Sequence, residues 1–173
     1  TYIAHTQVEY VEVETIEAPT SSIEKAEKDI SADTYSKENL YAKIDTSKIT
    51  EDDINYFAKL VHAEFCGGGY EGRRAVANVV VNRIADGNLG NSIRSVIQRE
   101  GQFTPYKTGK LNTDYVCPEC REAVIDVVYN DYRIFPIYVM YFQSISDGHF
   151  KGHETYMTIS SSSGKSKMYF SSS

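Results

Sequence analysis

The chain has 173 residues and a mass of 19.5 kDa, which fits one domain of ordinary size with room for an arm. A net charge of −6 and a pI near 5.2 argue against a nucleic-acid protein held by phosphate contacts. No stretch reaches the roughly 18 apolar residues of a membrane span, and three Cys are too few for a disulfide scaffold.

The first fifty residues differ from the rest. They hold ten acidic and five basic side chains, one Pro and no Gly. Val8 to Thr15 alternate as a weak strand, and residues 20–49 have the Ser, Lys, Glu and Asp content of a solvated linker. Residues 1–49 therefore read as an acidic arm, and 50–173 as the folded domain. Because the chain begins at Thr1 with no secretory apolar region, a targeting segment is expected to have been removed.

The domain opens on Thr50 and Asp53, which form a capping-box-like start with Glu51 and Asp52 in the first turn. Ile54, Phe57, Ala58, Val61 and Phe65 recur at helical spacing until Gly67-Gly68-Gly69 ends the run. A second helix is expected from Tyr70 to Asp86, with Val76, Val79, Val80 and Ile84 inward and Gly87 as its stop. Asn91 or Ser92 caps a short helix through Gln98, and residues 100–115 read as a loop. Pro118 opens another helix, whose stripe of Ala123, Val124, Val127 and Val128 runs to Asn130. Helical signals then cease. Ile137–Gln143, Tyr156–Ser160 and Lys167–Ser171 read as short strands, the last two joined at Ser163-Gly164. Helices first and antiparallel strands last give an α+β fold with a small C-terminal sheet.

Glu64 stands out chemically. It lies in the last turn of its helix, where a carboxylate is disfavoured, and on the margin of the apolar stripe. Dipole and partial desolvation both raise a carboxyl pKa, which is what a general acid requires. A solvated helix margin is the plainer reading of such a residue.

Cys117-Pro-Glu-Cys120 opens a predicted helix, the setting in which thiol–disulfide oxidoreductases lower a thiolate pKa. No strand leads into it, and no βαβ unit surrounds it. A zinc site built on this pair would need Cys66 and a histidine from elsewhere; a local disulfide or two free thiols is the simpler account. His149 and His153 are spaced like a zinc pair, but the turn-like residues between them include no glutamate, so surface histidines are expected. Neither the Gly67–Gly69 run nor Gly164-Lys165-Ser166 completes a phosphate loop. No cofactor or metal is expected.

The stretch from His62 to Ile84 resembles the signature of the spore cortex-lytic family of bacterial cell-wall hydrolases. Ala63-Glu64, Tyr70-Glu71-Gly72, Ala75-Val76-Ala77 and Asn82-Arg83 stand in register with it. Ser95 to Pro105 resembles the family's Val-Ile followed by a Phe-Thr/Ser loop. Gly164 to Phe170 resembles its closing Gly-His-Phe strand, with Lys167 or Met168 where the family has His. The resemblance covers residues 50–173. It implies a lysozyme-like domain acting on peptidoglycan outside the cytoplasm, with Glu64 as catalytic acid and 1,6-anhydro-muramic products. Tyr70, Glu71, Gln102, Phe103, Tyr106 and Tyr141 are the expected groove residues, with core packing an equal claim for Phe103 and Tyr141. A monomer without nucleic-acid partners is expected. An amidase cutting the muramyl–alanine bond, a wall-binding module without turnover and a CxxC oxidoreductase are the alternatives.

Overall fold

The computed structural model describes residues 39–144, 155–161 and 167–172. The segment Val8–Thr15, the Ser163-Gly164 turn and the pair His149 and His153 lie outside these. Helix α1 (Glu51–Phe65) carries the anticipated capping box: the Thr50 hydroxyl accepts from the Asp53 amide, and the Asp53 carboxylate accepts from the Thr50 amide. A single 3-10 turn (Cys66–Gly68) leads into α2 (Gly69–Asp86), which stops at Gly87 in the left-handed region with φ 79°. Then come α3 (Ile93–Ile97), α4 (Thr104–Lys107) and α5 (Pro118–Tyr129), followed by β1 (Val139–Ser144), β2 (Thr155–Ser160) and β3 (Lys167–Ser172). The three strands form one antiparallel sheet in the order β1-β3-β2. Helices and sheet are segregated, as the α+β reading requires.

Three readings of the sequence differ by more than one residue from the structure. The loop 100–115 contains α4, where Pro105 sits in the first turn and tolerates its missing amide proton. The first strand begins at Val139 rather than Ile137, because Pro136 precedes and the Ile137 amide is taken by the Leu40 carbonyl at 2.8 Å. That bond also shows that residues 40–49, whose composition reads as arm, pack with the domain. Ala42 is buried, Ile44 and Ile49 lie against the core, and Arg133 Nε donates to the Ala42 carbonyl at 2.8 Å.

Helix α2 is the centre of the domain. Every residue from Ala75 to Arg83 is buried, because α1, α5 and β1 all pack on this helix. The run Val79-Val80-Val81 is therefore buried on more than one face, while Ile84 is only partly covered. Two buried polar residues on this helix fasten the chain that enters the sheet. Asn78 Oδ1 accepts from the amides of Ile134 and Phe135 at 2.7 and 2.9 Å. Asn82 Nδ2 donates to the carbonyls of Pro136 and Val139 at 2.7 and 2.9 Å, and Asn78 Nδ2 donates to Asn82 Oδ1 at 3.1 Å. Four backbone groups between residues 134 and 139 thus find partners that the sheet ladder does not supply.

Candidate active site

The triple glycine sets the entry to the site. Between α1 and α2 the chain turns so tightly that the Phe65 ring lies directly on the backbone: a Cβ at Gly68 would come within 2.3 Å of it, and one at Gly72 within 2.8 Å. Gly69 has φ 66°, a conformation that favours glycine. Gly67, by contrast, faces open space apart from Ser161 at 3.9 Å.

Glu64, the next-to-last residue of α1, is partly buried. Burial pushes its carboxyl pKa up to about 7 from 4.5; Arg83 and Lys110 oppose the rise. Desolvation is thus the leading cause of the shift, and among the described residues the two charged groups acting on the carboxyl are cations.

Arg83 explains why the site has this form. It projects from α2, is only 4% exposed, and donates from Nε to the Met140 carbonyl at 2.8 Å. The register of β1 against β3 shifts between Val139 and Tyr141, so Met140 sits at an irregularity where its carbonyl is turned toward the helix; such bulges commonly re-aim side chains beside sites. The Arg83 guanidinium lies 4.9 Å from the Phe103 ring centroid and 5.5 Å from that of Tyr141, within cation–π range. Burial lowers its pKa to about 10, with Tyr141 and Glu64 acting in the opposite sense, so it stays charged at neutral pH. Its Nη1 is buried without a hydrogen-bond partner among the described residues.

Of the residues singled out from sequence, Glu64, Phe103 and Tyr141 are brought together around Arg83. Phe103 is buried and packs on Phe142 with centroids 6.1 Å apart; Gln102 precedes it in the turn before α4 and donates its amide to the Arg99 carbonyl. Tyr106, on α4, is exposed. Tyr70 and Glu71 are engaged elsewhere. The Tyr70 hydroxyl donates to Asp126 at 3.1 Å, and Glu71 pairs with Arg74 at 2.8 Å while accepting from the Tyr132 hydroxyl at 3.0 Å. Arg74 stacks on both tyrosines and bridges to Asp126, tying α2 to α5. Sequence reasoning missed Arg83 and Lys110 as members of the site. An arginine in the last turn of a helix is ordinarily a dipole partner; only the register of the Asn82-Arg83 motif distinguished this one.

The Cys117-Pro-Glu-Cys120 run does open α5, with the Cys117 sulfur accepting from the Cys120 amide at 3.4 Å. Burial, then the neighbouring Cys117 and Cys66, hold the Cys120 thiol well above its ordinary range. A thiol–disulfide oxidoreductase needs the reverse. A separate cavity of about 610 Å³, lined in part by Lys43, Ile49, Ile84 and Arg94, shares no lining residue with the Glu64 cluster.

An acid-bearing turn at a helix end and a desolvated guanidinium beside it stand in an α+β domain whose helices are followed by a small antiparallel sheet. The chain belongs to the Cell Wall Hydrolase family, whose sequence profile matches residues 67–161, more than half its length. It is 35% identical over 81 residues to the spore cortex-lytic enzyme of Bacillus subtilis, covering 46% of this chain and 26% of that protein. It is 32% identical over 81 residues to the spore cortex-lytic enzyme of Oceanobacillus iheyensis, covering 46% of this chain and 28% of that protein. The match thus spans little more than a quarter of these curated relatives. In structure it is similar to the catalytic domain of the germination-specific lytic transglycosylase SleB from Bacillus anthracis, with a TM-score of 0.61 at 22% identity, over 72% of this chain and 98% of that one. The catalytic domain of the Bacillus cereus SleB protein gives 0.60 at 21% identity, over 79% and 98%. The lysozyme-like fold expected from the sequence is the one observed.

Proposed function

We propose that the domain cleaves the glycan strand of peptidoglycan between N-acetylmuramic acid and N-acetylglucosamine, as a lytic transglycosylase with Glu64 as its single acid and base. The observation that carries this reading is the electrostatic setting of Glu64: a carboxyl held near pKa 7 whose charged neighbours among the described residues are both cations. Glycosidases that use water or an enzyme nucleophile place a second carboxylate across the bond. A transglycosylase dispenses with it, because the C6 hydroxyl of the muramic ring attacks its own C1. Protonated Glu64 gives its proton to the glycosidic oxygen as the C1–O bond breaks. The resulting carboxylate then takes the proton of the C6 hydroxyl as the new C1–O6 bond closes. The acid is regenerated, and no water enters the products.

Arg83 serves this cycle in two ways. Its charge favours the carboxylate that exists between the two proton transfers, and its hydrogen bond to the Met140 carbonyl keeps that charge in place beside the acid. Tyr141 and Phe103 hold the guanidinium in place, while Gln102 and the exposed Tyr106 on the adjoining turn offer polar and stacking contact to a sugar face. The substrate places the domain's action outside the cytoplasm, and no helix among the described residues is long and apolar enough to cross a membrane. Digestion of purified peptidoglycan with the chain, followed by mass spectrometry of the soluble products, tests the reading. Muropeptides one water lighter than their hydrolysed counterparts are expected. Muropeptides with a free reducing end would instead mean hydrolysis. Freed peptides would mean an amidase, and binding without release a wall-binding module.

A further inference from the structure

The fold brings together four side chains that lie far apart in sequence and that the glycan chemistry does not use. His62 and Cys66 stand one helical turn apart, at the C-terminal end of α1 and in the turn that follows it; Cys117 and Cys120 stand three residues apart at the start of α5. One ring nitrogen of His62 and the three sulfurs all lie within 4.8 Å of one another, and Cys120 Sγ is 3.9 Å from His62 Nδ1. All three cysteines are free.

We propose that His62, Cys66, Cys117 and Cys120 form a structural zinc site that clamps the end of α1 to the start of α5. The donor set is that of a Cys3His zinc centre, with thiolates and a neutral imidazole favouring zinc over hard cations. The spacing fits as well. A tetrahedron with Zn–S bonds of about 2.3 Å has edges of about 3.8 Å, so the four ligand atoms close on an ion by moving about 1 Å or less. Binding forms three Zn–S bonds and one Zn–N bond, and the three thiol protons pass to solvent.

The surroundings match a metal centre. The Cys120 amide already donates to the sulfur of Cys117, the N-cap of α5. Three thiolates around a dication leave one net negative charge. The Arg73 guanidinium lies over this side of the turn, donating from Nε to the Cys66 carbonyl at 3.1 Å, and its charge acts on Cys120. Tyr115 packs edge-on against the His62 ring at 5.5 Å and fixes its plane. Four protein donors fill a tetrahedron, so the ion has no open position for water or substrate and its role is structural. Its place has a consequence that rests on the proposed function: Glu64 lies between two of the ligands, on the opposite face of the same turn, so the clamp fixes the backbone that aims the acid.

The test is metal content, which does not depend on any activity. The full chain, purified under reducing conditions without chelator, is expected to carry one zinc per chain by atomic spectroscopy. After removal of zinc, Co2+ is expected to give the visible ligand-field bands and near-ultraviolet thiolate charge transfer of a tetrahedral, sulfur-rich site. Because His62 is exposed, H62A keeps the fold and is expected to weaken zinc binding at least about tenfold, while H62C restores it with a four-thiolate cobalt spectrum. C120S is expected to abolish binding. Chelation of the zinc-loaded chain lowers its melting temperature. A reduced chain that stays metal-free when Zn2+ is added overturns the proposal. So does a zinc content that C120S leaves unchanged, or a Cys117–Cys120 disulfide that persists under the same reducing conditions. None of these results bears on whether Glu64 cleaves glycan.

Discussion

Glu64→Gln separates the chemistry of the site from its electrostatics in one variant. Gln keeps the shape of the side chain and a hydrogen-bond donor but can neither give nor take a proton. General acid–base catalysis contributes about two to four powers of ten, so turnover on purified peptidoglycan is expected to fall by at least about a hundredfold. The stability effect follows from the pKa of about 7 against 4.5 in the unfolded chain. The folded state binds this proton more tightly than the unfolded state does. The stability so gained is complete below pH 4.5 and is lost as the pH rises through about 7. The full loss is at most about 3 to 4 kcal/mol, from about 2.5 pH units at 1.36 kcal/mol each. Gln has no charge to desolvate, so the variant loses nothing over that range. Urea titrations at a series of pH values should therefore show Glu64→Gln gaining on the wild type between pH 4.5 and 7, with a constant difference above. In the wild type, kcat/KM on glycan should fall as the pH passes about 7, because the acid form disappears. A stability difference independent of pH would show that the carboxyl is not desolvated, and near-native turnover of Glu64→Gln would place the acid elsewhere.

The other outcomes rest on neighbouring contacts. Arg83→Met removes the cation that opposes the rise in the Glu64 pKa, so the alkaline limb of the pH–rate profile should move upward; a downward move would contradict the assigned sign. Asn82→Ala leaves two buried carbonyls without their donor and should cost about 3 kcal/mol in a denaturant titration. Gly68→Ala drives a methyl into the Phe65 ring and should cost about 1 to 3 kcal/mol, whereas Gly67→Ala has room and should be neutral. A chain starting at residue 50 loses the Leu40 and Ala42 carbonyls that pair with Ile137 and Arg133 and should be about 2 kcal/mol less stable than one starting at residue 39.

The helices were legible because their signals are local. A capping box, an apolar stripe and a glycine stop each lie within a few residues, and α1, α2, α3 and α5 follow them closely. Residues 39–49 were not legible as domain, because their polar side chains describe a linker while two of their attachments are main-chain carbonyls. Any sequence carries those groups, so composition cannot report them. Helix α4 was hidden for a related reason. Four residues with a proline in their first turn and glycines on either side read as loop, while Phe103, their N-cap, packs beside Arg83. The strand order is set by pairing over long separations, which no local pattern encodes.

The site divides in the same way. Glu64 was visible because it breaks a local rule, standing as an acid where the helix end prefers a base. Residues that obey local rules were invisible. Arg83 sits in its last turn as a basic residue should, and its buried place beside Glu64 arises because β1 offers it the Met140 carbonyl and the Tyr141 ring. Tyr70 and Glu71 share the most recognisable motif of the chain, yet their side chains join Arg74 and Asp126 in holding α2 against α5. The thiols show the same limit most sharply. The Cys117–Cys120 pair lacked two donors within its own segment, and they arrive from the helix end that carries Glu64, more than fifty residues earlier. One short turn therefore presents Glu64 on one face and two prospective metal ligands on the other. Any change that shifts this turn should alter proton transfer and metal affinity together, whereas a change confined to the Glu64 carboxyl should leave metal affinity untouched.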